Sequence, residues 1–236
     1  MDEVTRERIE AATVRLPDKG GQGVLIPGNL ILTAAHCIEW DGEGRMALGE
    51  PRLQRIETKR GATFRLDLAA AEPRADIAVL GEPDNQEFPE DSDAFERFCE
   101  AVQPVAVSSR SFEREVPVPV HVLTHDRGWV RGSVTRWAQT ESGSSSIETS
   151  EQIDGGTSGG PVVDDAGELI GVVSSTDEGG HEHNGTMPVA HLALPRWVWM
   201  RVEDAILDDP TWSGGGLRGE AVASGPPVGP TPDVSV

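Results

Sequence analysis

The sequence predicts an all-β body framed by two helices, and three observations predict it. Short apolar runs recur along most of the chain, broken every few residues by Gly, Pro, Asn or Asp, the rhythm of strands and turns in a sandwich or barrel. An acidic, turn-rich stretch at 82–100 separates two groups of such runs and reads as a connection between two β units. No self-similarity recurs at the periods of solenoids or propellers.

Residues 2–12 read as a short helix, with acids early and Val4, Glu7, Arg8 and Ala11 sharing a face. So short a helix is stable only when docked. The first strand group comprises runs at 13–16, 23–26, 30–33, 64–68 and 77–80; the second has runs at 105–107, 118–123, 130–137, 146–149, 161–163 and 169–173. Residues 194–207 carry Pro195 in the first turn and Trp197, Val198, Val202 and Ile206 at helical spacing, which predicts a C-terminal helix docked on the β body. The six tryptophans read as core and helix-docking anchors. Residues 208–236 hold three consecutive glycines, several prolines and few large apolar side chains. Such a segment buries too little to offset its ordering entropy, and it reads as a disordered tail or a linker. If the natural protein continues, it continues there.

Composition narrows the function. The chain has 236 residues, a formal net charge of -20 and 37% hydrophobic residues, with a pI near 4.6. That charge repels a nucleic-acid backbone or an anionic membrane. No apolar run approaches the roughly 18 residues of a spanning helix. The first eight residues are mostly charged, so no signal-peptide core follows the start and a cytoplasmic location is expected. Two cysteines, Cys37 and Cys99, form at most one bridge.

Three segments carry chemistry. Ser158 sits in Gly155-Gly156-Thr157-Ser158-Gly159-Gly160. A nucleophilic hydroxyl needs a sharply turned, uncluttered backbone, with peptide N–H groups to receive an oxyanion, and glycines supply both. Gly156 and Ser158 would be the N–H donors. His36 ends an apolar run behind Thr33, Ala34 and Ala35, small residues that let the chain turn tightly. Asp76 precedes the apolar run 77–80; an acid so placed is partly desolvated and needs a partner, and the His36 Nδ1–H is a suitable one. Taken singly, these are also a loop serine, a core or surface histidine and a turn cap. Taken together, their order and separations of 40 and 82 residues let His and Asp come from one β unit and Ser from the other.

With those residues in view, the sequence resembles the trypsin-like, chymotrypsin-fold serine proteases. TAAHC, DIAVL and GGTSGGPVV stand in that family's order, and the stretch 144–175 is similar to the bacterial HtrA/Deg-type branch. The resemblance implies two six-stranded antiparallel β-barrels over residues 1–207, with a boundary at about 82–104 and a cleft between them. It implies a serine endopeptidase acting on polypeptide, with His36 as base, Asp76 orienting it and Ser158 as nucleophile. It further implies that Ser174 lies where substrate pairs as an added strand, that Gln152 stands at the base of the specificity pocket, and that Gly185 lines its opposite wall. A neutral Gln152 offers no carboxylate to an Arg or Lys side chain, although nearby Asp154 reopens that question.

The departures are informative. Secreted members place an aspartate immediately before the serine to pair with a new N-terminal ammonium; here Thr157 occupies that position, so activity without zymogen processing is expected. Cys37 has no partner cysteine near residues 20–23 and reads as a reduced buried thiol. No PDZ-like domain follows residue 207, and a fused or associated regulatory domain would lie beyond the tail. His181-Glu182-His183, with Asp177 and Glu178, reads as a solvated acidic loop rather than a metal site; no cofactor or metal is expected. The competing reading is a catalytically silent, protease-like peptide-binding module. A serine esterase is disfavoured because the strand–elbow–helix pattern around Gly-x-Ser-x-Gly is missing.

Overall fold

The computed structural model describes residues 1–38, 53–110, 117–137, 144–149, 153–176 and 184–208. Gln152, the 181–183 histidine motif and the tail from 209 onward lie outside the described residues.

Helix α1 (Glu3–Ala12) is capped by Asp2, whose carboxylate accepts the Thr5 N–H at 2.8 Å. It buries Ile9 and Ala12 and leaves Val4 exposed. The buried residues thus lie beside the shared Val4–Ala11 face, with Ile9 the large aliphatic that docks on the barrel.

The first β unit contains β1 (Thr13–Arg15), β2 (Gln22–Ile26), β3 (Leu30–Thr33), β4 (Gln54–Thr58), β5 (Thr63–Glu72) and β6 (Ile77–Gly81). These form a closed barrel in the order β1-β2-β3-β6-β5-β4. Closure comes from β1 against β4, with Val14 opposite Thr58 and Arg15 opposite Glu57. Val24, Ile26, Leu30, Leu32, Ile56, Leu66 and Leu80 fill the core. Closing the sheet leaves no unpaired edge.

The second unit contains β7 (Val118–Thr124), β8 (Gly128–Trp137), β9 (Ser144–Thr149), β10 (Pro161–Val163), β11 (Leu169–Val172), β12 (Ser175–Thr176) and β13 (Asn184–Pro188). β11 pairs with β10 while β12 pairs with β13. The two are consecutive halves of one strand, interrupted at Val173 and Ser174. That shared strand closes a second six-stranded antiparallel barrel around Val120, Val122, Val134, Ile147, Val162 and Met187. The two-barrel expectation holds.

The connection at 82–100 differs from its sequence reading. It contains a 13-residue helix, α2 (Pro89–Ala101), with Pro at its start, Glu90 and Asp91 in the first turn, and Ser92, Phe95 and Phe98 buried. Phe95 and Phe98 pack on Phe64 of β5 with ring centroids 5.7 and 5.8 Å apart. Of the acids that suggested a solvated turn, Glu90, Asp93, Glu96 and Glu100 lie on this helix's exposed face, while Asp91 pairs with Arg65 at 2.7 Å. The run at 105–107 contributes a single bridge, Val107 to Leu169. After a short helix α3 (Ala190–Ala193), α4 (Arg196–Asp208) docks through Val198, Val202 and Ile206. Trp197, expected among the docking anchors, is 53% exposed, because it falls one position off the 198/202/206 stripe.

Candidate active site

β3 ends at Thr33, whose hydroxyl donates to the Gln22 carbonyl at 2.6 Å. The buried Ala34 and Ala35 then let the chain tighten into a 3₁₀ turn (Ala35–Cys37) that projects His36 from the barrel rim. Asp76 stands just before β6 with φ 55°. Holding a non-glycine residue in that left-handed region costs about 1 kcal/mol or more and marks a conformation imposed by its surroundings.

Those surroundings are three donors on one carboxylate. Asp76 Oδ1 accepts the His36 backbone N–H at 2.9 Å. Oδ2 accepts from His36 Nδ1 at 2.8 Å and from the Ser174 hydroxyl at 2.5 Å. Burial alone would favour the neutral acid, but the hydrogen bonds from His36 and Ser174 outweigh it, and the Asp76 pKa is lowered. Chiefly through its bond to Asp76, the His36 pKa is raised above that of a free imidazole. The two side chains are 48% and 24% exposed respectively. The imidazole thus presents its other edge to solvent while the carboxylate is shielded behind it.

Ser158 arrives from the second barrel and is stitched to the first. Its carbonyl accepts the Gln22 N–H at 2.7 Å. Gly159 (φ 77°) presses so close that an added Cβ would lie 1.9 Å from the Gln22 carbonyl oxygen and 2.5 Å from the Thr33 hydroxyl. Gly21 lies between the Ser158 carbonyl and Cys37, its virtual Cβ 3.1 Å from the first and 2.6 Å from the Cys37 sulfur. Ser158, Gly21, Cys37 and His36 are therefore successive parts of one wall. Among the described residues, no hydrogen bond joins the Ser158 hydroxyl to His36.

Before the serine, the Thr157 N–H reaches the Asp154 carbonyl at 3.3 Å. Gly156 has φ 85° at the third position of that turn, the conformation of a type II turn. Among the described residues, neither the Gly156 nor the Ser158 N–H donates a hydrogen bond. Thr157 is fully buried and its hydroxyl accepts the His125 N–H at 3.2 Å.

The remaining sequence candidates find varied places. Gly185 is buried in β13 between Thr176 and Ile147. Asp154 is engaged by Arg127, with Nε to Oδ2 at 2.8 Å and a second contact at 3.3 Å. The Ser174 N–H donates to the Thr186 carbonyl at 2.8 Å. Its hydroxyl bond to Asp76 went unread in the sequence, where Ser174 signalled only a strand. Both cysteines are free; Cys37 is buried and the Cys99 thiol is pushed up to about 12 by burial and then by Glu82 and Glu96. Three further histidines have neighbours: His121 binds Asp165 at 2.8 Å, His125 meets Arg15, and His191 packs against Trp199. Among the described residues no group of three or more His, Cys, Asp or Glu side chains could hold a metal, and no helix is long and apolar enough to cross a membrane.

Residues 21–172 match the family described as Trypsin-like peptidase domain. Among solved structures, the chain is similar to the Rv3671c protease in its inactive form, at 16% identity and a TM-score of 0.52, covering 81% of this chain and 92% of that one. A serine-to-alanine mutant of Rv3671c from M. tuberculosis H37Rv, also in an inactive form, matches at 14% identity and a TM-score of 0.55, covering 87% and 92%. At these identities the likeness is one of fold. No curated protein sequence matches the chain.

Proposed function

Since the chain belongs to the trypsin-like peptidase domain family, we propose that it is a serine endopeptidase of polypeptides in which Ser158, His36 and Asp76 form the triad. The observation that carries this reading is the Asp76 carboxylate, which receives the His36 Nδ1–H, the His36 backbone N–H and the Ser174 hydroxyl together. Fixing the proton on Nδ1 leaves Nε2 as the acceptor on the exposed edge. His36 takes the Ser158 proton as the hydroxyl attacks a peptide carbonyl, then returns it to the leaving amine. The imidazolium formed between these steps is held by Asp76. The free N–H groups of Gly156 and Ser158 receive the oxyanion.

The enzyme works without N-terminal processing. Thr157 needs no ammonium partner, because its buried hydroxyl is satisfied by the main chain of His125. The type II turn at Gly156 already exposes the oxyanion donors. An acyl-side peptide strand adds along 174–176, and Gly185 lines the neighbouring wall. Asp154 is neutralised by Arg127 and Gln152 is uncharged, so the pocket prefers an uncharged side chain before the cut over Arg or Lys. The stretch 144–175 supports an HtrA/Deg-like enzyme, and a net charge of -20 disfavours nucleic acid and anionic membrane as partners. A regulatory domain would attach beyond the tail.

The unmade Ser158–His36 hydrogen bond favours a second reading, a peptide-binding module without turnover. Digestion of casein and of a proteome-derived peptide library by wild type and Ser158→Ala separates them. Cleavage present only with wild type supports the peptidase, and tight peptide binding with no cleavage by either supports the module.

A further inference from the structure

A cavity of about 240 Å³ adjoins the Ser158 turn, walled by Arg15, Gln22, Lys59, Leu123, Thr124 and His125. Two of its walls touch the turn itself. Gln22 holds the Ser158 carbonyl, and a Cβ on Gly156 would lie 3.4 Å from the His125 ring. A substrate extends both ways from its scissile bond. If the acyl half follows 174–176, the leaving half runs over Gly21 and Gln22 toward this cavity.

The charges there are unequal. Lys59 is held by Glu10, which also accepts the Trp129 indole N–H at 2.9 Å. Arg15 gives one amino group to His125 Nε2 at 3.0 Å. A guanidinium has five N–H donors and is always charged. Glu57 faces Arg15 across the β1–β4 register, yet among the described residues no ion pair joins them. Asp126 reaches the same imidazole nitrogen at 3.3 Å but is 66% exposed, where solvent screens its charge.

We propose that this cavity is a leaving-group subsite in which Arg15 binds a carboxylate side chain, so that the enzyme prefers Asp or Glu within the first few residues after the cut. The proposal rests on the peptidase reading above and adds its substrate class. The test uses internally quenched peptides differing only by Glu against Gln at each of the four positions after the cleaved bond. Glu should be favoured about fivefold in kcat/KM at one position in low salt, with the preference shrinking toward parity at about 0.5 M salt. Arg15→Gln should level the pair, Arg15→Lys should keep part of the preference, and Asp126→Asn should widen it. The same peptides, labelled and titrated into Ser158→Ala by fluorescence anisotropy, should bind in the same order without turnover. Equal rates and affinities at all four positions, or a preference that survives Arg15→Gln, would overturn the subsite. Absence of both cleavage and fluorophosphonate labelling would instead refute the peptidase reading, with the anisotropy series still reporting on Arg15.

Discussion

Replacing Asp76 by Asn tests the hydrogen-bond geometry at its centre. Oδ1 faces one donor, the His36 main chain, and Oδ2 faces two, the His36 ring and the Ser174 hydroxyl. An amide cannot satisfy this set in either orientation. With its oxygen toward the ring, its NH₂ meets the His36 backbone N–H, donor against donor, at a cost of about 1–3 kcal/mol. With its NH₂ toward the ring, it stabilises the tautomer protonated on Nε2, which cannot accept the Ser158 proton. Either way the imidazolium loses its counter-charge, which is worth about 4 kcal/mol at ~4 Å and an effective dielectric of about 20. The combined loss of about 5–7 kcal/mol corresponds to a fall of about 10⁴ or more in kcat. Asp76→Asn should therefore cleave a peptide substrate about 10⁴-fold more slowly with KM little changed, while its thermal unfolding stays cooperative. A loss below tenfold in a folded variant would refute the reasoning. Asp67, the acid nine residues earlier, is engaged locally, accepting the Leu68 N–H at 2.8 Å.

Other expectations follow from the same contacts. Because the base must be neutral and Asp76 raises the His36 pKa, kcat/KM should climb with pH along a limb lying above the ~6.5 of free imidazole; a flat profile from pH 5 to 8 contradicts a His base. The pair also links stability to pH. The raised His36 contributes fully below ~6.5 and is lost as pH climbs through its folded value; the lowered Asp76 contributes above ~3.9 and is lost as pH falls through its own. Tm measured across pH should thus fall on both sides of this window, and less so in Asp76→Asn. Gly159→Ala should destabilise by about 3 kcal/mol or more, since its Cβ would meet the Gln22 carbonyl at 1.9 Å; an unchanged Tm would show that the Ser158 turn is not held there. Thr157→Val removes the acceptor of the His125 N–H and should cost about 1–3 kcal/mol of stability, read by denaturant unfolding, together with kcat.

The barrels were legible because their signals are local. Runs such as Leu30–Thr33 and Ile77–Gly81 are continuously apolar, as strands buried on both faces must be. β4 and β13 escaped notice: Gln54–Thr58 holds a single apolar residue, Ile56, between Arg55 and Glu57, and Asn184–Pro188 carries Gly and Pro that read as a turn. Helix α2 was hidden because its acids dominate the composition while only Ser92, Phe95 and Phe98 face inward. At the site, His36, Asp76 and Ser158 stood out through the segments around them. The Ser174 hydroxyl on Asp76 and the Arg15–His125 contact join residues 98 and 110 positions apart, and nothing in either local pattern announces the other partner. Asp154 signalled a free pocket carboxylate only until its engagement by Arg127 was visible.

The central claim is that His36 makes the Ser158 hydroxyl nucleophilic. Incubation with a fluorophosphonate, followed by mass mapping of the adduct, addresses it most directly. The account predicts stoichiometric modification at Ser158 in the unprocessed wild-type chain and a loss of at least about 10³-fold in labelling rate in folded His36→Ala. An unmodified wild type, or equal labelling of the two proteins, would contradict it.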